Sequence, residues 1–186
     1  MQRMLSVIAI AILILSGCSP TGEALEPGLQ LREKVLAANG TNFTAQIRSS
    51  YDDSEYSFSL QCRIDSNGML SFTVLSPEVI AGITGTIDQQ SGKLSFDDTV
   101  LAFPLLAEGE LSPVCAPWIL YKSIVGGYLR AAGAEEDYTR LTIEDTFLGE
   151  NFTLELWLKD TIPAYAEIIW QGRNILSLSI DAFELM

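Results

Sequence analysis

The segment YSFSLQCRID, Tyr56 to Asp65, alternates without a break: Tyr56, Phe58, Leu60, Cys62 and Ile64 are apolar, and Ser57, Ser59, Gln61, Arg63 and Asp65 are polar. Successive side chains of an extended chain point to opposite faces, so this period of two sends every apolar group one way and every polar group the other. The pattern is that of a half-buried strand. It recurs in Phe43, Ala45 and Ile47 against Thr44, Gln46 and Arg48, in Leu70, Phe72 and Val74 against Ser71 and Thr73, and in Phe152, Leu154, Leu156 and Leu158 against Thr153, Glu155, Trp157 and Lys159. Three further strands are expected over Thr139 to Phe147, Ala164 to Trp170 and Ile175 to Phe183. Turn signals at Asp65-Ser66-Asn67-Gly68, Gln90-Ser91-Gly92, Leu148-Gly149-Glu150-Asn151 and Gln171-Gly172-Arg173 fall at intervals suited to antiparallel hairpins. The expectation is a meander with one apolar face that another element must cover.

The candidate cover is LSPVCAPWILYKSIVGGYLRAAG. Ser112 can cap a helix with Pro113 at its first position, and Trp118, Tyr121, Ile124, Val125, Tyr128 and Leu129 recur at three- and four-residue spacing. Pro117 and Gly126-Gly127 would break or kink it, so Ser112 to Ala132 is read as one helix or two, capped by Gly133. A shorter amphipathic helix is expected in GLQLREKVLAANG, with Leu29, Val35 and Leu36 as its apolar residues and Asn39-Gly40 as its stop. Strands with one helix at the start and one in the middle make the fold class α+β.

The N-terminus has a separate logic. Arg3 precedes an apolar run from Met4 to Leu15 interrupted only by Ser6, which is the charged and apolar pattern of an export signal and too short for the ~20 residues of a membrane span. The run ends in Leu15-Ser16-Gly17-Cys18, which resembles the lipobox of bacterial lipoproteins. That resemblance implies diacylglyceryl transfer to the Cys18 thiol, cleavage before it and a mature chain that starts at Cys18. Two or three acyl chains, at ~0.8 kcal/mol per buried methylene, hold a protein at a membrane where one chain does not. The expected organisation is a signal peptide over 1–17, a lipidated cysteine and flexible tether over 18–27, and one domain over 28–186.

Removing the leader takes away Arg3 and leaves 169 residues carrying 10 Lys and Arg against 24 Asp and Glu, a formal charge of −14. Such a surface repels phosphate backbones and anionic headgroups, so no nucleic-acid partner is expected and membrane contact falls to the lipid. The chain has no histidine, which excludes His-based zinc sites, Ser-His-Asp triads and imidazole acid-base chemistry. No Gly-rich phosphate loop or nucleophile elbow is present, and no cofactor or metal is expected. The acidic clusters Asp52-Asp53-Ser54-Glu55, Asp97-Asp98 and Glu135-Glu136-Asp137 read as solvated turns. Cys62 and Cys115 are compatible with a disulfide, which export permits, and equally with two buried thiols.

The order helix, strand meander, Pro-Glu loop (SPEVIAGI, Ser76 to Ile83), Ser-Pro-led helix and a late PAYAEIIWQGR segment (Pro163 to Arg173) resembles the lipoprotein-carrier superfamily, which includes periplasmic lipoprotein carriers, their outer-membrane acceptor, mycobacterial lipid-carrying lipoproteins and a germination-related lipoprotein of spore formers. The resemblance implies a curved antiparallel sheet, an unclosed half-barrel whose concave side holds apolar side chains and a helical plug around an acyl-chain cavity. In this chain that cavity would be lined by Phe58, Leu60, Phe72, Val74, Phe96, Trp118, Tyr121, Val125, Leu154, Leu156, Ile168 and Trp170. The chain carries its own lipobox, unlike a soluble carrier, which favours a tethered acceptor, carrier or scaffold.

Two functions follow, neither of them enzymatic. One is an exported lipoprotein, anchored to the outer face of the cell membrane or to an outer membrane, whose half-barrel binds a lipid or lipoprotein acyl chain. The other is an envelope or spore-associated scaffold that holds a protein partner and has a filled core. A large apolar cavity would favour the first and a solid interior the second.

Overall fold

The computed structural model describes residues 21–186 except 52–53, 90 and 108–109; Cys18 and the leader lie outside the described residues, as does the acidic pair Asp52-Asp53. Helix α1 (Thr21–Ala37) leads into strands β1 (Gly40–Tyr51), β2 (Ser54–Asp65), β3 (Leu70–Ser76), β4 (Thr84–Ile87), β5 (Gly92–Phe96) and β6 (Thr99–Phe103). A small hairpin, β7 (Leu106–Ala107) and β8 (Glu110–Leu111), precedes a 3-10 turn at Pro113–Cys115 and helix α2 (Ala116–Gly126). Strands β9 (Tyr128–Glu135), β10 (Tyr138–Phe147), β11 (Glu150–Lys159), β12 (Ile162–Trp170) and β13 (Arg173–Leu185) complete the chain. No helix among the described residues is long and apolar enough to cross a membrane.

Eleven strands form one antiparallel sheet in the order β6-β5-β4-β3-β2-β1-β13-β12-β11-β10-β9. Two runs of consecutive hairpins are joined where the first strand pairs with the last, through Ala45↔Ile180 and Ile47↔Leu178. The sheet ends on β6 and β9 and does not close, which is the α+β half-barrel expected from the sequence. Irregularities at Asn42/Thr44, Ser59/Leu60, Thr142/Ile143, Trp157/Leu158 and Ile168/Ile169 bend the strands, because each extra residue raises the local twist.

The alternation seen in the sequence becomes burial. Pairs Phe43↔Cys62, Ala45↔Leu60 and Ile47↔Phe58 place one apolar row on the concave side of β1 and β2, and Leu60, Cys62, Ile64, Ala45 and Ile47 have no exposed surface. Leu154↔Ile168 and Leu156↔Ala166 do the same for β11 and β12. The opposite row, with Thr44, Gln61, Arg63 and Thr73, faces out.

Three expectations need correction, and one open alternative is decided. Residues 21–27, expected to be tether, belong to α1, in which Leu25, Gly28, Leu31 and Val35 form the buried stripe, while Leu29 and Leu36 are exposed. The stripe at spacings of three and four reaches back past Pro27, and Leu25, half-buried against the core, helps hold the first turns although a proline inside a helix removes a hydrogen bond. Gly28 lets α1 approach: a Cβ there would lie 2.6 Å from Leu129. The covering helix stops at Gly126, and what was expected to be its second half is edge strand β9. Gly127 has no room for a side chain, since a Cβ would sit 2.5 Å from Ile143, so the chain turns there and Tyr128 is exposed while Leu129 is buried. Pro117 lies in the first turn of α2, where its missing N–H has no partner to lose, and causes no kink. Finally, Cys62 and Cys115 are free thiols, both buried, so the disulfide that the sequence permits is not formed.

Candidate functional site

The concave face and the helix across it are the part of the molecule with most invested in it. Of the residues expected to line a cavity, Leu60, Phe72, Val74, Trp118, Leu154, Leu156, Ile168 and Trp170 are buried in the core, and Phe58, Tyr121 and Val125 pack against it half-buried. Phe96 is not among them: it ends β5 near the free edge of the sheet and is 56% exposed.

Helix α2 is held over this face by polar contacts at several points. The Trp118 indole N–H donates to the Gly68 carbonyl at 3.1 Å, and its ring meets Phe147 edge-on at 5.7 Å. Lys122 Nζ donates to Asp145 Oδ2 and to the Thr146 carbonyl, each at 2.7 Å, and Ser123 Oγ donates to the same Asp145 oxygen at 3.1 Å. From α1, Arg32 donates to the carbonyls of Ile124 and Gly127 at the end of α2. Tyr121 stands beside the Gly68 turn, and burial, followed by the Asp65 carboxylate, raises its hydroxyl pKa. These polar partners were not singled out in the sequence. One signal existed: in the inward row Leu141, Ile143, Asp145, Phe147 an acid stands where an apolar residue is due.

The polar atoms on the concave side are few, and their state differs. Ser49 Oγ, Thr41 Oγ1 and Trp170 Nε1 are buried without a hydrogen-bond partner. Ser49 pairs with Leu176 and Leu176 with Ile168, so Trp170, two residues beyond Ile168 on the same face, stands toward the same end of the half-barrel as Ser49. Its indole stacks on Phe152 with centroids 6.1 Å apart.

The site holds little that could act chemically. Burial pushes the Cys115 thiol up to about 12 and the Cys62 thiol further, so both stay protonated and are poor nucleophiles. The buried carboxylate Glu155 faces the outer side, where it accepts from Arg140 Nε at 2.9 Å and from the Thr142 hydroxyl. Among the described residues no cluster of carboxylates and cysteines could hold a metal. Hollows of about 620 and 590 Å³ lie on the outer face, the first over β1 to β5 among Thr44, Gln61, Arg63, Thr73 and Thr84, the second among Glu144, Asn151, Thr153 and Ile169.

No family model matches the sequence, and no curated protein does. Solved structures do. The chain is similar to a putative outer membrane lipoprotein-sorting protein domain from Vibrio parahaemolyticus, at 8% identity and a TM-score of 0.50, over 89% of this chain and 93% of that one. It is similar to a DUF1329 family protein from Desulfovibrio piger, at 7% identity and a TM-score of 0.51, over 90% and 94%. A LolA superfamily protein from Nitrosomonas europaea aligns at 12% identity and a TM-score of 0.46, over 86% and 93%. The likeness to the first two shows a shared fold, the open antiparallel half-barrel with its helices, and at these identities it extends to the fold alone.

Proposed function

We infer that this chain is an extracytoplasmic lipoprotein, anchored through Cys18, whose half-barrel takes the acyl chain of a lipid or lipoprotein between sheet and α2, and that it catalyses no reaction. The observation that carries this reading is that two of the three buried polar groups without partners, Trp170 Nε1 and Ser49 Oγ, stand toward one end of a largely apolar concave face, the third, Thr41 Oγ1, lying at the other end of β1. A filled protein core avoids buried donors without acceptors, because each leaves a desolvation penalty of about 1–3 kcal/mol unpaid. A bound ester or carboxyl group offers acceptors at that end, and its hydrocarbon reaches Ile168, Leu154 and Leu156 only once α2 lifts, since all three are fully buried with the helix in place.

A second reading is the scaffold for a protein partner. It is favoured by the complete burial of Leu60, Leu154, Leu156 and Ile168 beneath the closed helix. Native mass spectrometry of the mature chain released gently from membranes tests the choice. A co-purified acyl lipid, beyond the anchor, supports the first reading; a protein that carries none and takes up no fluorescent acyl probe overturns it.

A further inference from the structure

The outer face of β9 to β12 carries a hollow of about 510 Å³ in which Tyr138, Trp157 and Tyr165 meet Glu135 and Glu136. The rings of Trp157 and Tyr165 meet at a tilt across β11 and β12, with centroids 5.2 Å apart and planes at 52°. Trp157 already attracts a cation: the Arg140 guanidinium lies 5.2 Å from its ring centre while donating to Glu155. The rim carboxylates are less engaged. Glu135 meets Arg140 only at 3.4 Å with both groups open to water, and Glu136 is exposed on the turn into β10.

We propose that this hollow receives an arginine or lysine side chain of a basic segment in an envelope protein partner, the cation lying against the aromatic floor with its charge met by Glu135 and Glu136. The chemistry selects this occupant. Aromatic faces present negative charge to a cation, and Trp is the strongest of them. An anion would meet two carboxylates, and a purely apolar ligand would have to desolvate them without compensation. The formal charge of −13 over the whole chain steers a basic partner toward it and repels an acidic one. The inference does not depend on the acyl-chain reading, because the hollow is on the opposite face of the sheet.

The test is fluorescence anisotropy with a labelled decapeptide of alternating arginine and glycine, using the full chain in non-ionic detergent. Wild type should bind with an affinity that falls as salt rises. Trp157→Ala should weaken binding about tenfold, Trp157→Phe should keep most of it, and Glu135→Gln with Glu136→Gln should weaken it severalfold and flatten the salt dependence. Neutralising two carboxylates elsewhere, Glu78→Gln with Asp97→Asn, should change it less than twofold. Equal loss from either carboxylate pair, with no effect at Trp157, would mean diffuse charge attraction and overturn the site. Absence of peptide binding, or preference for a neutral oligomer of N-acetylglucosamine, would overturn it as well.

Discussion

Arg32 of α1 donates from Nε to the main-chain carbonyl of Ile124 at 2.6 Å, which ties the first helix to the last turn of the covering helix. Its Nη2 reaches the carbonyl of Gly127 at 2.5 Å, so one guanidinium bridges the place where α2 ends and β9 begins. Those carbonyls have no partners within the helix, and a cation there also meets the negative end of the helix dipole. Arg32→Met keeps the aliphatic stem and removes the donors. It should lower stability by about 1–3 kcal/mol in urea unfolding, and hydrogen exchange should quicken first in α2. Arg32→Lys should recover less than half, because an ammonium cannot span both carbonyls in the plane of a fork.

Asp145 accepts from Lys122 and Ser123 at once, and its side chain is only 12% exposed against 30% for Lys122. Asp145→Ala leaves a part-exposed ammonium with the Thr146 carbonyl and the face of Phe152, so a loss of about 1–3 kcal/mol is expected. The double variant Asp145→Ala with Lys122→Met should be more stable than the single one, since it removes the uncompensated charge. Thermal melts of wild type, the Asp145→Ala and Lys122→Met single variants and the double variant give the coupling. If the two substitutions simply add, the pair does not hold the helix.

The thiols make a prediction about pH. An unfolded thiol releases its proton near 9, and folded Cys115 holds it to about 12, so unfolding above pH 9 releases a proton that the native state retains. Stability is full below pH 9 and should fall as pH rises from about 9 to 12, by up to about 1.4 kcal/mol per pH unit for each buried thiol. Cys62→Ala with Cys115→Ala should flatten that slope even though it leaves cavities that lower stability at pH 7. Native protein should react with a thiol reagent only on unfolding, and then at two sites, Cys62 and Cys115.

The strands around Phe58, Phe72, Leu154 and Leu176 were legible because one face of each is buried and the other wet, which is what writes a period of two into a sequence. Where neither face is buried the signal vanishes. Thr99 to Phe103 forms β6 at the free edge, with Val100 63% and Leu101 62% exposed, and no alternation marks it. Strand β9 was hidden for another reason: Tyr128 and Leu129 continue the helical spacing of Trp118 to Val125, and only the tight fit of Gly127 against Ile143 shows that the helix has ended. Of the twelve residues expected to line a cavity, the eight buried or half-buried ones on strands follow from alternation and Trp118, Tyr121 and Val125 from helical spacing, all but Phe96 packing in or against the core, but their polar neighbours carried no such signal. Lys122, Arg32 and Ser49 are ordinary in sequence and acquire meaning only through partners 23 and 92 residues away, or through having none.

The exposed edge strand should tolerate charge. Leu101→Lys removes an apolar group that is already in water and places a gatekeeper on an unprotected strand. Its melting temperature should stay within about 2 °C of wild type while aggregation on heating decreases. A large loss of stability would mean that Leu101 is covered in solution.

The indole nitrogen of Trp170 separates the two functional readings with a single atom. Trp170→Phe keeps an aromatic ring against Phe152 and deletes the N–H that has no acceptor. In a filled scaffold core the lost donor relieves a penalty of about 1–3 kcal/mol, which offsets the smaller ring, so the net change should be close to zero and nothing else should alter. In an acyl carrier the same N–H is held for a ligand oxygen. A fluorescent fatty-acyl ester should then bind several times more weakly to Trp170→Phe, whereas a hydrocarbon probe of equal length, which offers no acceptor, should bind as before. Adding Ser49→Ala should deepen the loss for the ester alone. Equal loss of both probes would place Trp170 in the packing of the cavity, and no binding of either probe by wild type would leave the scaffold as the function of the fold.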